Sequence, residues 1–132
     1  MLVTKRFFTV KEANELLPFL SVKMRDLRVV DREIRMRSSQ LPSSDEIALR
    51  GGTLVPPRYL WLLASLQSLH DEITAHGCHL KDVESGLVDF PTLWEGREVY
   101  LCWKLGETHV GYWHEIEAGF AGRQLLDREP GS

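Results

Sequence analysis

A chain of 132 residues with 43% hydrophobic and 27% charged side chains has the size and balance of one globular domain, which argues against both disorder and membrane residence. With 16 Lys and Arg against 19 Asp and Glu, the net charge of −3 supplies no global positive field, so nucleic acid is not an expected partner. No apolar run approaches the ~20 residues that span a bilayer and MLVTKRFFTV lacks a signal peptide's apolar segment, so the expectation is a cytoplasmic protein with no membrane partner and two free cysteines.

Taken in order, the chain first offers Thr9-x-x-Glu12, in which hydroxyl and carboxylate can each accept the other's backbone N–H; this predicts a helix start. Ala13, Leu16, Leu17, Leu20, Met24, Leu27, Val30 and Ile34 then recur at helical spacing to about Ser38. Pro18 has no N–H for the Asn14 carbonyl, yet the stripe keeps its phase across it, so one long helix kinked at Pro18 is expected. Arg25, Arg28, Arg32, Arg35 and Arg37, interleaved with Asp26, Asp31 and Glu33, read as a solvated face with helical ion pairs. The stretch from Ser38 to Gly52 carries breakers at both ends and is expected to be a mobile loop. Pro56-Pro57 opens a second helix with Tyr59, Leu62, Leu63, Leu66, Leu69 and Ile73 on one face, and Gly77 closes it. The two helices are expected to lie antiparallel, as a hairpin over residues 9–77.

From Cys78 the period changes. Segments Cys78 to Asp82 and Leu87 to Phe90 flank a turn at Glu84-Ser85-Gly86. Arg97 to Leu105 alternates, with Val99, Leu101, Trp103 and Leu105 on one face and Tyr100, Cys102 and Lys104 on the other. Gly106-Glu107 turns the chain and Val110, Tyr112 and Trp113 return. The fold class predicted is α+β: the helix pair packed on a small antiparallel sheet of three to four strands in residues 78–126, with an irregular Gly119–Arg123 segment and a frayed tail over 127–132. The long helical stripe carries more apolar surface than one partner helix covers, which predicts a homodimer through the helices.

No phosphate loop, dinucleotide fingerprint, paired-cysteine zinc motif or nucleophile elbow occurs in the sequence, and no nucleophile pairs with a base; this weighs against an enzyme. The opening FTVKEANELLPFL, followed in order by GLVDFP, VYLCWKLGE, YWH and GFAGR, resembles the uncharacterised bacterial family DUF2203 over Phe8 to about Leu126. That resemblance implies a small bacterial protein and carries over no activity. Its matching positions include Asn14, Pro18, Lys81, Asp82, Asp89, Cys102, Trp103, Glu107, Trp113, His114 and Arg123.

The sharpest polar group is Asp89, Glu107 and His114, since two carboxylates and an imidazole can hold a divalent metal ion or exchange a proton near neutral pH. The bland alternative makes them a turn cap, a hairpin tip and a strand end bonded to a main-chain carbonyl. Lys81, Cys102 and Arg123 complete the candidate ligand-binding set: Arg123 follows two glycines that permit close approach of an anion, or else it ties the carboxy-terminal segment to Asp89 or Glu107. Cys102 reads as a buried thiol before a nucleophile, the run His76, Cys78, His79 lacks a second ligand pair for zinc, and Trp94, Trp103 and Trp113 read as core before pocket. Two functions are therefore expected to compete: a protein binding a metal or small anion at this sheet, and a non-catalytic interaction module using the helical hairpin.

Overall fold

The computed structural model describes residues 5–40 and 55–127. The expected mobile loop lies, beyond Gln40, outside the described residues, and so does the tail from residue 128.

Thr9 Oγ1 accepts from the Glu12 N–H at 3.1 Å and Glu12 Oε1 from the Thr9 N–H at 2.9 Å, the reciprocal cap that starts α1 (Val10–Glu15). In place of one kinked helix there are two segments, because Pro18 cannot continue the ladder: the Leu16 N–H turns to the Ala13 carbonyl at 3.1 Å, and the bond from Leu20 to the Leu16 carbonyl at 2.9 Å resumes it. Leu16 stays near helical values, at φ −82° and ψ −14°, so α2 (Leu17–Ser38) keeps the phase of the stripe. The expected solvated face is present in Arg35–Asp31 and Arg37–Glu33, at 2.9 and 3.1 Å and one turn apart, with Arg58 joining Glu33 at 3.1 Å. A third helix, α3 (Pro57–Thr74), begins on its prolines and packs on α2. Gly77, at φ +95°, releases the chain into the sheet. Among the described residues no helix is long and apolar enough to cross a membrane.

Five antiparallel strands follow in sequential order: β1 (His79–Asp82), β2 (Leu87–Trp94), β3 (Arg97–Lys104), β4 (Tyr112–His114) and β5 (Gln124–Leu125). The expected three to four becomes five because Gln124 and Leu125, directly after the Gly119–Arg123 segment, pair with β4 as a strand too short to show a period. β2 also runs past Phe90 to a two-residue hairpin at Glu95-Gly96, where both residues have positive φ, +54° and +78°, as the twist of a tight hairpin demands. Pro91 is tolerated within β2 because β1 ends short of it. The Pro91 carbonyl accepts from Phe8 N at 2.7 Å and Thr92 Oγ1 donates to the Phe8 carbonyl at 2.6 Å, so the proline's missing N–H faces an edge taken by the chain entering α1.

Strand alternation divides the sheet. Val88, Phe90, Val99, Leu101, Trp103 and Trp113 turn toward the helices and form one core with Phe8, Ala13, Leu17, Leu20, Met24, Leu27 and Ile73. The register places Asp89, Tyr100, Cys102, Tyr112 and His114 together on the opposite face. Trp103 is fully buried and Trp94 meets Trp113 edge to face at 4.5 Å between centroids, so these three rings pack the interior as expected.

Leu20 lies wholly inside that core whereas Val22, two residues on, is 55% exposed. Leu20→Ala is expected to cost about 2–5 kcal/mol in denaturant unfolding with an unchanged slope, and Val22→Ala less than about 0.5 kcal/mol.

Candidate metal centre

Three central strands each contribute one ligand-type side chain, Asp89, Cys102 or His114, to the face away from the helices. The register sets Asp89 of β2 directly across from Cys102 of β3, and His114 of β4 across from Tyr100, two residues further along the same face. Asp89, Cys102 and His114 are 3%, 1% and 2% exposed, and their ligand atoms all lie within 4.8 Å of one another. Among the described residues this is the one group of three or more acidic, thiol and imidazole side chains so arranged.

His114 fixes the chemistry. Its Nδ1 lies 2.8 Å from the Glu115 carbonyl, which only accepts, so Nδ1 carries a hydrogen and Nε2 is turned toward Asp89 Oδ2 at 3.1 Å. An imidazole lone pair and a carboxylate oxygen that close repel each other, and a shared proton or a cation between them removes the repulsion. A backbone carbonyl that holds one ring nitrogen while the other points into a buried donor set is the arrangement by which metal-binding histidines are oriented.

The segment after β4 roofs this face. Ala118 N donates to the Glu115 carbonyl at 3.0 Å, and Gly119, at φ +64° and ψ −167°, takes a backbone conformation essentially reserved for glycine before the short 3₁₀ turn Phe120–Gly122. Beneath it lies a cavity of about 140 Å³ lined by Lys81, Leu87, Asp89, Cys102, His114, Ile116, Gly119 and Phe120. Tyr100 stands beside it, edge-on to both His79 and His114 with centroids 5.4 and 5.6 Å away, and Lys81 Nζ lies 5.3 Å from the Tyr100 ring centre. Burial, then Lys81 and Lys5, hold His79 below the usual imidazole range.

Of the three residues expected to hold a metal, Asp89 and His114 come together and Glu107 does not join them; its place in the group is taken by Cys102, expected only as a ligand-binding residue. Glu107 sits in the turn after β3, where its Oε1 accepts the Lys104 N–H at 2.8 Å and its two oxygens accept from one Arg123 nitrogen at 2.9 and 2.8 Å. Arg123 in turn lies over the Tyr112 ring at 3.7 Å and the Phe120 ring at 4.7 Å. It therefore ties the roof to the sheet, the second of its two expected roles. Lys81 stands at the cavity rim. The sequence run His76, Cys78, His79 disperses: Cys78 Sγ donates to the Ile73 carbonyl at 3.3 Å while the two rings pack on Phe19 and Tyr100.

A family model described as an uncharacterized conserved protein, DUF2203, matches residues 6–126. The chain belongs to the DUF2203 family. No curated protein and no solved structure matches it. The matched region takes in every helix and strand of the described residues, so Asp89, Cys102, His114 and the roof of this DUF2203 member all fall within it.

Burial pushes the Cys102 thiol up to about 12, with the Asp89 carboxylate adding to it and Arg123 opposing, and burial raises Cys78 to about 11. Both are thiols rather than thiolates near neutral pH, and Ellman's reagent at mildly alkaline pH is expected to label them roughly a hundredfold or more slowly until guanidinium unfolds the chain. Unfolded thiols lose their protons near 9.0 while the folded ones keep them to about 11 and about 12. The native state then binds more protons, so stability falls as pH rises through that window, which pH-dependent denaturant titration checks.

Proposed function

We propose that this DUF2203 member binds a divalent transition-metal ion through Asp89, Cys102 and His114. The observation that carries the proposal is the His114 ring, held by the Glu115 carbonyl with Nε2 directed at a buried carboxylate beside a buried thiol. A thiolate, an imidazole and a carboxylate suit zinc and its neighbours rather than calcium or magnesium, which prefer all-oxygen shells. Ligand atoms of a tetrahedral zinc site stand roughly 3.5 Å apart, so a group already within 4.8 Å closes on an ion with side-chain adjustments of about an ångström. One carboxylate and one thiolate balance the ion's charge, leaving no net charge buried. Three protein ligands beside a cavity leave a fourth position open, as in zinc sites that bind a small molecule rather than closed structural ones.

Elemental analysis of purified protein, or titration with zinc followed by calorimetry, is expected to give about one equivalent. His114→Ala and Cys102→Ala should each weaken binding by more than about a hundredfold while circular dichroism retains the fold; Glu107→Gln should leave affinity within about threefold. Absence of bound metal together with no uptake on titration overturns the reading.

A second reading, an interaction module on the helical hairpin, draws support from large apolar side chains left in solvent. Val22, Val29 and Met36 recur every seven residues on α2, and Leu60, Trp61 and Leu63 are exposed on α3, Trp61 by 56%. The stripe expected to pair two copies is packed into the chain's own core at Leu17, Leu20, Met24 and Leu27, so a second copy of the chain would have to meet this other face. Sedimentation velocity at micromolar concentration is expected to show a dimer that Val29→Lys dissociates; a monomer at that concentration removes the reading.

A further inference from the structure

We propose that the cavity beside Asp89, Cys102 and His114 takes a small carboxylate, two to four carbons long, as the fourth ligand of the metal ion, with Lys81 pairing its charge; this rests on the metal reading above. Three features of the cavity support that class of ligand.

The first is its composition. Beside the three candidate metal ligands the lining includes Leu87, Ile116 and Phe120, apolar groups that suit a short hydrocarbon stem and offer nothing to a polyhydroxylated molecule. The second is its size: about 140 Å³ is close to the ~150 Å³ of a cavity that takes one benzene ring, room for a carboxylate and a few carbons and too small for a nucleotide. The third is charge. A divalent ion with one carboxylate and one thiolate is neutral, so an added anion brings an unbalanced negative charge into a buried site.

Lys81 is the cation in the lining that can balance it, its ammonium held at the rim by the face of Tyr100. Two other cations of this face do not line the cavity: Arg123 is bound to Glu107 by two contacts and stacked on Tyr112 and Phe120, and Lys104 Nζ lies 5.8 Å from the centre of the Phe120 ring. A single cation in the cavity lining favours a monoanion over phosphate, which carries up to two charges and is ordinarily met by arginine forks or backbone amides.

The test uses the full chain loaded with cobalt(II), whose visible absorption reports ligand type and coordination number. Appearance of a thiolate-to-cobalt band on loading tests the metal reading by itself; without it the metal assignment fails before any anion is added. With the band present, acetate and propionate are expected to shift the cobalt ligand-field absorption saturably in the millimolar range, and Lys81→Met to weaken that effect about tenfold while leaving cobalt affinity unchanged. Inorganic phosphate at the same concentrations is expected to leave the spectrum alone. A cobalt spectrum indifferent to both carboxylates, a response equal in Lys81→Met, or a response to phosphate in place of carboxylate overturns the proposal while the metal site stands.

Discussion

The contact between Asp89 and His114 governs the layout of the sheet's outer side. A carboxylate on β2 and an imidazole on β4, each almost completely buried, need partners and need water kept away, and the fold answers with a roof of chain. The Glu115 carbonyl holds the far nitrogen of His114, Gly119 redirects the backbone over the face, and Arg123 fastens the far end to Glu107. The sheet therefore has two interiors: an apolar one against the helices and a smaller polar one beneath residues 115–123.

That second interior is a costly way to bury a surface. Isosteric apolar side chains at these three positions are often neutral or stabilising in comparable settings, since desolvation of ionisable groups offsets much of their mutual attraction. Stability alone gives no reason for an acid, a thiol and an imidazole to converge there. Burial also keeps the Cys102 thiol protonated when alone, so the group is chemically quiet until something displaces that proton.

Much of this was legible in the chain. The capping pair Thr9 and Glu12, the stripe through Leu20 and Leu27, and the alternation that sends Val99, Leu101 and Trp103 one way and Tyr100 and Cys102 the other are all local patterns that the coordinates reproduce. Two things were not local enough. The Glu95-Gly96 hairpin lacks the usual Asn-Gly or Asp-Gly signal, yet it sets the pairing of β2 with β3; counted outward from it, rung by rung, Asp89 falls opposite Cys102. His114 reaches the same place only through the register of β4, at the end of a connection whose length and shape no periodicity specifies. Glu107 was drawn into the expected group because a carboxylate at a turn has no strand phase to exclude it; the Lys104 amide and Arg123 decide its orientation.

The docking of Phe8 against β2 bears on how these molecules behave when crowded. A strand that outruns its neighbour exposes a row of amide and carbonyl groups on which another protein's strand can grow, the usual start of intermolecular sheet formation. Here the stretch of β2 beyond β1 contains Pro91, with no amide hydrogen to offer, and its carbonyl already accepts from Phe8. At the opposite margin β5 is only two residues long. The edge strands β1 and β5 are only four and two residues long and the overhang of β2 is occupied, so the five-stranded layer offers little free edge as a template.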